Sequence, residues 1–323
     1  MNKEDKPNVI VIVGPTASGK TSLGIDIAKA LNGEIISADS MQIYKGLDVG
    51  TAKATLDEQA EVKHHLIDIC DVTDKFSVAD YKKLCYEKIS EIVAKGKIPV
   101  IVGGTGLYIN AVINNMNFDN YCDEEYVKAK DKYRKELEEI LDQRGKEYLY
   151  NMLLELDKDA AGNIHMNNTK RVIRAIEMTK DGISKSLVNN RNDLWNKNDS
   201  PYNFISIYIN MPRQELYSRI NLRVDLMKDL GVIQEAEMLK EMNLPKDNTA
   251  MQAIGYKEFF DYLDGKISLE DALEKLKQGT RKYAKRQITW FNKLNCDITF
   301  NKGQNQEELI DRLKRKINEK EWC

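Results

Sequence analysis

A glycine-rich loop near the start of the chain constrains the fold more than any other feature of the sequence. It reads Gly14-Pro15-Thr16-Ala17-Ser18-Gly19-Lys20-Thr21 and matches the pattern G-x-x-x-x-G-K-[ST]. The apolar run Val9–Val13 precedes it, and apolar residues at helical spacing follow it. Backbone N–H groups and a helix N-terminus bind phosphate oxygens in such a loop. The sequence therefore predicts a strand, a loop that binds a di- or triphosphate, and a helix.

Two residues at the end of this loop add chemistry to it. Lys20 supplies a mobile cation for the phosphates, and the hydroxyl of Thr21 is placed to ligate Mg²⁺. The pattern is shared by proteins that bind ATP, so it does not by itself identify the ligand. We expect a magnesium-dependent phosphate site whose ligand the rest of the chain must specify.

Composition limits the class of protein. The 323 residues are 42% hydrophobic and 31% charged, which is typical of a soluble globular protein with one large core or two modest ones. The net charge of -2 predicts no global attraction to nucleic acid, so any such role needs local basic patches. The five cysteines include no C-x-x-C pair, which disfavours a zinc site. Met1–Lys6 does not resemble a signal peptide and no apolar run is long enough to cross a membrane, so we expect the cytoplasm.

Short apolar runs alternate with helical patterns along most of the chain. This alternation predicts an α/β fold, a parallel sheet with helices on both faces. Residues 114–200 differ, because they are rich in Glu, Lys, Leu and Tyr and lack strand-like runs. We predict a core of residues 1–113 and 201–323, interrupted by a helical insertion at 114–200 that returns through a polar linker at Asn189–Pro201. The predicted strands are Val9–Val13, Glu34–Ala38, Leu66–Ile69, Pro99–Val102, Phe204–Ile209 and Ile298–Phe300.

Two further segments are expected beside the glycine-rich loop Gly14–Thr21, called the phosphate loop below, because ligands in parallel sheets bind at the carboxyl ends of the strands. Asp39 follows one strand and could bind Mg²⁺, act as a general base or cap a turn. Gly103-Gly104-Thr105-Gly106 follows another and allows close approach to a ligand, with Thr105 offering a hydroxyl. No acid follows Val102, where an ATP hydrolase commonly holds its metal, and this weakens the ATPase interpretation.

Two basic segments lie far apart in the sequence. Arg281–Lys293 has five basic residues and no acidic one. On a helix, Lys282, Arg286, Thr289 and Lys293 would share one stripe, while Leu276, Tyr283 and Trp290 would share another that packs inward. The other segment, in the insertion, contains Lys170, Arg171 and Arg174. Either segment could be an ordinary solvated face, but together they favour a polyanion held between the domains.

Taken together, these motifs resemble one family, the tRNA dimethylallyltransferases, also called tRNA isopentenyltransferases. The resemblance spans the chain from near residue 9 to near residue 300, and the motifs occur in the family's order. It rests on Gly14–Thr21, Asp39–Tyr44, Gly50–Lys53, His64–Asp68, Val102–Tyr108, Arg171–Glu177, Gln252–Glu258 and Arg281–Phe291.

The resemblance implies a reaction in which a dimethylallyl group passes from its diphosphate to N6 of the adenosine just 3′ of a tRNA anticodon. The phosphate loop would then hold the diphosphate of the donor, and Lys20, Thr21 and Mg²⁺ would neutralise the leaving pyrophosphate. Arg223 matches a family position that contacts pyrophosphate. Asp39 would be the base that accepts or orients the N6 proton, and Thr105 would help to position the amine.

The resemblance also implies a bacterial-type enzyme that binds the tRNA anticodon arm and dimethylallyl diphosphate, acts as a monomer and needs no membrane. Met166 departs from the family, which usually has Pro there, and residues near Tyr121–Lys130 look like extra length. The residues implied to contact tRNA are Asp39, Ser40, Met41, Gln42, Thr105, Arg134, Asn167, Asn168, Thr169, Lys170, Arg171, Gln252, Ala253, Ile254, Gly255, Tyr256, Lys257, Lys285, Arg286, Gln287 and Trp290.

Three other functions compete with this interpretation. A small-molecule phosphotransferase that uses ATP would explain the phosphate loop but leave the basic segments unused. An adenylate isopentenyltransferase would prenylate a free nucleotide and would not need the basic insertion. An RNA-binding module with a structural nucleotide would not need Asp39 and Thr105 beside the phosphates.

Overall fold

The computed structural model of the protein describes residues 6–116, 118, 124–180, 200–245 and 248–318. Most of the predicted return linker Asn189–Pro201, and residues 121–123 of the predicted extra length, lie outside these ranges. The described residues fall into two compact units. One consists of residues 1–116 and 195–323, and the other of residues 117–194.

The first unit is built on a parallel sheet, as the alternation of apolar runs predicts. Its strands are β1 (Asn8–Val13), β2 (Gly33–Ser37), β3 (His64–His65), β4 (Ile98–Gly103), β5 (Asn203–Asn210) and β6 (Ile298–Asn301). They lie in the order β3-β2-β4-β1-β5-β6, and every pairing is parallel. Strand β1 is therefore central and brings the phosphate loop to the middle of the carboxyl edge.

Helices cover both faces of this sheet, which is why its strands are continuous apolar runs and do not alternate with polar residues. Each residue of Val9–Val13 is buried. Ile10 and Ile12 belong to one apolar cluster that includes Leu23 and Ile27 of the helix after the phosphate loop. This helix, α1 (Lys20–Ala30), is thus fixed against the strand that precedes the loop.

Three of the remaining helices of the first unit begin at side-chain caps. Thr55 with Glu58, Ser77 with Asp80, and Ser268 with Asp271 form reciprocal capping boxes at three helix starts. The helices of the first unit after α1 are α2 (Leu56–Glu61), α3 (Val78–Ala94), α4 (Gly106–Ile113), α8 (Arg213–Leu230), α9 (Val232–Glu241), α10 (Lys257–Leu263), α11 (Leu269–Phe291) and α12 (Gln306–Asn318). A 3₁₀ turn occupies Ala250–Gln252.

One predicted strand is misplaced. The sequence predicts a strand at Leu66–Ile69, but the structure places β3 at His64–His65 and a series of bends after it. Leu66 and Asp68 have φ values of 59° and 54°, which a strand cannot contain. Leu66 is buried, Ile67 is half-buried and Ile69 is exposed in this irregular loop, so the run resembles a strand only in composition.

The second unit is helical where it is described. Its helices are α5 (Glu124–Leu156), α6 (Lys158–Gly162) and α7 (Thr169–Lys180). Gly145 breaks α5 with φ 80° and ψ 171°, so it consists of two helical segments. Leu137, Leu149 and Leu153 form a core with Val172 and Ile176, which explains the helical spacing of leucines in this stretch.

No helix in the described ranges is long and apolar enough to cross a membrane.

Candidate functional site

A cavity of about 470 Å³ opens at the carboxyl edge of the sheet, within the first unit. The phosphate loop forms one side of it, with Thr16, Lys20 and Thr21 in its lining. Asp39 and Arg223, which lie on separate elements, line it as well. The structure therefore gathers predicted site residues from the phosphate loop, the end of β2 and Arg223 around one space.

The phosphate loop has the backbone geometry of an anion cradle. Ala17 and Gly19 adopt left-handed conformations, with φ values of 65° and 92°. Helix α1 starts immediately after Gly19, so its free N–H groups point toward the loop. Lys20 folds back and donates from Nζ to the carbonyl of Pro15 at 2.8 Å. The Oγ atom of Ser18 is buried and finds no partner within the described residues.

Two arginines of α8 reach the loop from the other side. Arg219 donates from Nε to the carbonyl of Ala17 at 2.9 Å, and Arg223 donates from Nη2 to Oγ1 of Thr16 at 2.7 Å. They are four residues apart and therefore lie on one face of the helix. Both line the cavity. Sequence reasoning named Arg223 only, although the i, i+4 spacing was the signal that could have found Arg219.

Asp39 lies just beyond β2 and faces these cations. Its Oδ1 accepts a hydrogen bond from the backbone N–H of Met41 at 2.9 Å, which fixes the carboxylate. Burial raises the pKa of Asp39, an effect opposed by the Met41 hydrogen bond and by the charges of Lys20 and Arg223. A carboxylate with a raised pKa is a stronger base than an exposed one.

The cations are also perturbed by burial. Desolvation lowers the pKa of Lys20 to about 8, although the charge of Asp39 partly opposes this. It lowers the pKa of Arg223 to about 10, again against the attraction of Asp39 and with repulsion from Arg219. Two desolvated cations, Lys20 and Arg223, therefore lie near one carboxylate, and Arg219 adds a third positive charge at the phosphate loop. A bound diphosphate would neutralise this excess of positive charge.

Thr105 lies on the turn after β4, next to the segment that contains Asp39. Its Oγ1 accepts from the backbone N–H of Ser40 at 3.0 Å, and its backbone N–H donates to the carbonyl of Ala38 at 3.1 Å. Gly103 precedes this turn and has no room for a side chain, because a Cβ there would overlap the carbonyl of Ala38. The two strand ends are thus locked together around Asp39.

The loop after β2 forms a wall of the cavity, and Gln42 and Lys53 hold it in place. Gln42 accepts from Oγ of Ser37 at 3.0 Å and donates to the carbonyl of Ala52 at 3.2 Å. Lys53 is buried, donates from Nζ to the carbonyl of Tyr44 at 2.9 Å, and pairs with the carboxylates of Asp48 and Asp68.

Glu235 of α9 also holds this loop through hydrogen bonds, and sequence reasoning missed it. Its carboxylate accepts from the backbone N–H groups of Val49 at 2.8 Å and Gly50 at 3.1 Å, and from the hydroxyl of Tyr256 at 2.9 Å. The ring of Tyr256 lies so close to Gly50 that a Cβ at Gly50 would overlap it. Nothing in the local sequence around Glu235 distinguishes it from other helical glutamates.

Apolar side chains also line the cavity. They include side chains from β2, β4, the loop after β3 and the exposed side of α8. Leu222 and Leu226 of α8 are exposed to solvent while lining this space. The other members are Ile35, Ala52, Ala54, Ile67 and Val102. A ligand that fits here has an anionic end and a small apolar end.

Helix α11 presents the predicted basic face. Lys282, Lys285, Arg286 and Thr289 are exposed, whereas Gln287 is buried and Trp290 is half-buried. The exposed cations can bind phosphates. The side chain of Gln287 instead points inward, toward the phosphate loop, so the structure gives it no free surface for the tRNA contact that the resemblance implies.

The segment Gln252–Lys257 is similarly divided. Gln252 and Lys257 are exposed and Ile254 is half-buried, while Ala253, Gly255 and Tyr256 are buried. Gly255 has φ 115° and lies against the carbonyl of Gly50. The buried residues support the loop after β2, and Gln252 and Lys257 lie at the surface.

In the second unit, Asn167, Asn168, Lys170 and Arg171 are exposed at the start of α7 and Thr169 is half-buried. Met166 occupies a turn closed by the backbone N–H of Asn168, which donates to the carbonyl of His165 at 2.8 Å. The turn thus forms without the proline that the family usually has.

Arg134 of the second unit is engaged by a buried acid. Its Nε and Nη2 donate to the two carboxylate oxygens of Glu177 at 2.7 and 2.8 Å, and Arg174 adds a third contact at 3.2 Å. Glu177 is only 1% exposed. Arg134 therefore has a structural role, since it pairs with buried Glu177, and its contact with tRNA stays a prediction.

The metal prediction meets a sparse set of ligands. No group of three or more His, Cys, Asp or Glu side chains suited to a metal is found among the described residues. Thr21 and Asp39 both line the cavity and offer one hydroxyl and one carboxylate. This set fits Mg²⁺, which takes most of its ligands from substrate phosphates and water, and does not fit an all-protein cage.

The chain matches known proteins along most of its length. A family model described as IPP transferase matches residues 42–294. A curated protein of Acetivibrio thermocellus, tRNA dimethylallyltransferase, is 51% identical over 313 residues, covering 95% of this chain and 96% of that protein.

Solved structures agree. The tRNA delta(2)-isopentenylpyrophosphate transferase of Staphylococcus epidermidis is 43% identical, with a TM-score of 0.69 over 98% of this chain and 100% of that one. A eukaryotic dimethylallyltransferase captured acting on tRNA is 29% identical, with a TM-score of 0.79 over 97% of this chain and 80% of that one.

Proposed function

The chain belongs to the IPP transferase family, and on that premise we propose that it transfers a dimethylallyl group from dimethylallyl diphosphate to N6 of the adenosine 3′ of a tRNA anticodon. Pyrophosphate is the second product. The chain is a prenyltransferase, and tRNA is its acceptor. The identity of the donor and the roles of individual residues are the parts that we add.

The observation that supports this donor is the composition of the cavity. The phosphate loop, Lys20, Arg219 and Arg223 line the cavity together with apolar side chains that include Leu222 and Leu226. Dimethylallyl diphosphate has matching parts, with a diphosphate at one end and five carbons at the other.

Asp39 supplies the base for the transfer. The N6 nitrogen attacks C1 of the donor, the bond between C1 and the diphosphate oxygen breaks, and its electron pair leaves with pyrophosphate. The N6 proton passes to the carboxylate of Asp39, whose pKa burial raises. Thr105 accepts a hydrogen bond from Ser40 and so holds the segment that carries Asp39.

Positive charge stabilises the leaving group. Lys20, Arg219 and Arg223 converge on the phosphate loop, so negative charge that builds on the diphosphate meets groups already in place. Mg²⁺, held through Thr21 and the phosphates, would supply further charge neutralisation when bound. The attraction of a diphosphate also offsets the repulsion that these cations exert on one another.

The adenosine must leave the anticodon stack to reach this cavity, at a cost of about a few kcal/mol. Phosphate contacts from the exposed cations of α11 can offset that cost, because each neutralised phosphate releases counterions. The exposed residues at the start of α7 are a second set of candidates. Action as a monomer in the cytoplasm stays a prediction.

The test is transfer of labelled dimethylallyl from its diphosphate to unmodified tRNA, with AMP offered as a competing acceptor and ATP turnover followed in parallel. We expect label on the tRNA adenosine, no label on AMP and no ATP turnover. Label on AMP alone would indicate a free-nucleotide prenyltransferase, and ATP turnover without transfer would indicate a phosphotransferase. Either result would overturn the proposal.

A further inference from the structure

We propose that Gln287 is a positioning residue that ties the phosphate loop to the tRNA-binding helix, so that binding of diphosphate and binding of tRNA strengthen each other. The inference rests on the proposed function and deepens it. It gives Gln287 a role different from the direct tRNA contact that the family resemblance implies.

Gln287 uses both ends of its amide. Its Oε1 accepts from the backbone N–H of Thr16 at 2.8 Å, and its Nε2 donates to the carbonyl of Gly104 at 3.0 Å. Gln287 is only 5% exposed, so water competes little for either hydrogen bond. One buried side chain therefore joins α11, the phosphate loop and the turn that carries Thr105.

The bond to Thr16 is unusual for a phosphate loop. The N–H groups of such a loop ordinarily serve the anion, yet one of them is held here by a side chain from a helix 271 residues later in sequence. Thr16 is also held through Oγ1 by Arg223. The orientation of this peptide therefore depends on where α11 lies.

The bond to Gly104 is enforced by packing. A Cβ at Gly104 would overlap Nε2 of Gln287, and a Cβ at Gly106 would overlap Nε1 of Trp290, one turn further along the same helix. The helix thus rests directly on the backbone of this turn. A small displacement of α11 must move the turn, the phosphate loop or both, because interiors this tightly packed do not deform freely.

The same helix carries the exposed cations. Lys285 and Arg286 immediately precede Gln287 and point to solvent. A shift of α11 on tRNA binding would therefore move Thr16 through Gln287. A shift of the phosphate loop on diphosphate binding would move α11 through the same bond. Thermodynamic linkage makes the two effects equal.

The test measures this linkage with and without Gln287. The affinity of an unmodified anticodon stem-loop is measured by fluorescence anisotropy in the presence and absence of inorganic pyrophosphate with Mg²⁺. For the unaltered protein we expect pyrophosphate to tighten RNA binding by about fivefold or more. For Gln287→Met, which keeps the length of the side chain without its hydrogen bonds, we expect this ratio to fall to about one.

A general structural defect would weaken RNA binding both with and without pyrophosphate, whereas loss of the proposed link would not. In Gln287→Met the KM for the donor should rise about tenfold, while RNA affinity without pyrophosphate stays within about twofold. The control is Gln278→Met, on the same helix, where the side chain is exposed and donates a hydrogen bond to Glu274. If Gln287→Met does not fold, Gln287→Glu replaces it, because a carboxylate can accept from Thr16 but is repelled by the carbonyl of Gly104.

The outcomes separate the two proposals. The linkage is overturned if pyrophosphate does not change the RNA affinity of the unaltered protein. It is also overturned if a Gln287 variant keeps the same ratio of RNA affinities with and without pyrophosphate. Absence of prenyl transfer by the unaltered protein overturns the proposed function, and the linkage ratio is measured without any transfer.

Discussion

Arg223 donates a hydrogen bond from Nη2 to Oγ1 of Thr16, 2.7 Å away, and so joins α8 to the phosphate loop before any ligand is bound. The Nε atom of the same guanidinium is buried and finds no partner among the described residues. A buried donor without an acceptor is costly in the free protein. A phosphate oxygen at this position would satisfy it.

Arg223→Gln should lower kcat/KM for the donor by about a hundredfold, because it removes a desolvated charge from the leaving group. RNA affinity should change little. Steady-state kinetics with the donor varied at saturating tRNA would measure this, with Arg213→Gln, an exposed arginine of the same helix, as the control. Equal losses in both variants would argue against contact between Arg223 and diphosphate.

Asp39→Asn should reduce the rate of transfer by about a thousandfold while tRNA binding persists, because the amide keeps the acceptor for Met41 but cannot take a proton. Single-turnover transfer and RNA anisotropy on the same preparation would separate the two effects. The base assignment fails if binding is lost and the rate for the bound complex is not.

The pH dependence of kcat/KM for the donor should show a fall above about pH 8. The lowered pKa of Lys20 means that its charge is lost in the free protein as pH rises through about 8, well below its ordinary range. Bound diphosphate stabilises the charged form, so kcat should stay level to higher pH than kcat/KM. A kcat/KM that is flat to pH 9.5 would show that the charge of Lys20 does not matter.

The basic face of α11 should control the salt dependence of tRNA binding. Lys285→Ala combined with Arg286→Ala removes two exposed cations, and the slope of log K against log salt should fall by about 1.5 if both contact phosphates. Lys314→Ala with Arg315→Ala, an exposed Lys-Arg pair on α12, is the matched control. An unchanged slope in the α11 variant would mean that this face is merely solvated.

Arg134→Met should destabilise the second unit by about 2 kcal/mol, because it leaves Glu177 buried with one cation fewer. Chemical denaturation would measure this against Lys135→Met, an exposed neighbour. Unaltered stability combined with a reduced salt slope for tRNA would favour the direct contact that the family resemblance implies.

Much of the fold follows from sequence because the sheet is buried on both faces. Continuous apolar runs then have one interpretation as strands, and the phosphate loop fixes which strand is central. The error at Leu66–Ile69 arises because an irregular loop can also contain several apolar residues in a row. The left-handed backbone of Leu66 and Asp68 has no signature in those side chains.

The site was less predictable where a residue acts through the backbone of a distant segment. Lys20 and Thr21 belong to a local motif. Glu235 and Gln287 bind backbone N–H groups of loops 185 and 271 residues away in sequence, and no spacing rule connects such partners. Sequence patterns report neighbours on one element, and tertiary packing decides the rest.

The turn Gly103-Gly104-Thr105-Gly106 illustrates what this packing means for the evolution of the chain. Each of its three glycines faces a different neighbour that leaves no space for even a methyl group: Ala38, Gln287 and Trp290. A mutation at any one of them needs a compensating change on a different element. In a library of single substitutions selected for retention of the tRNA modification, these three positions should therefore accept almost no residue other than glycine.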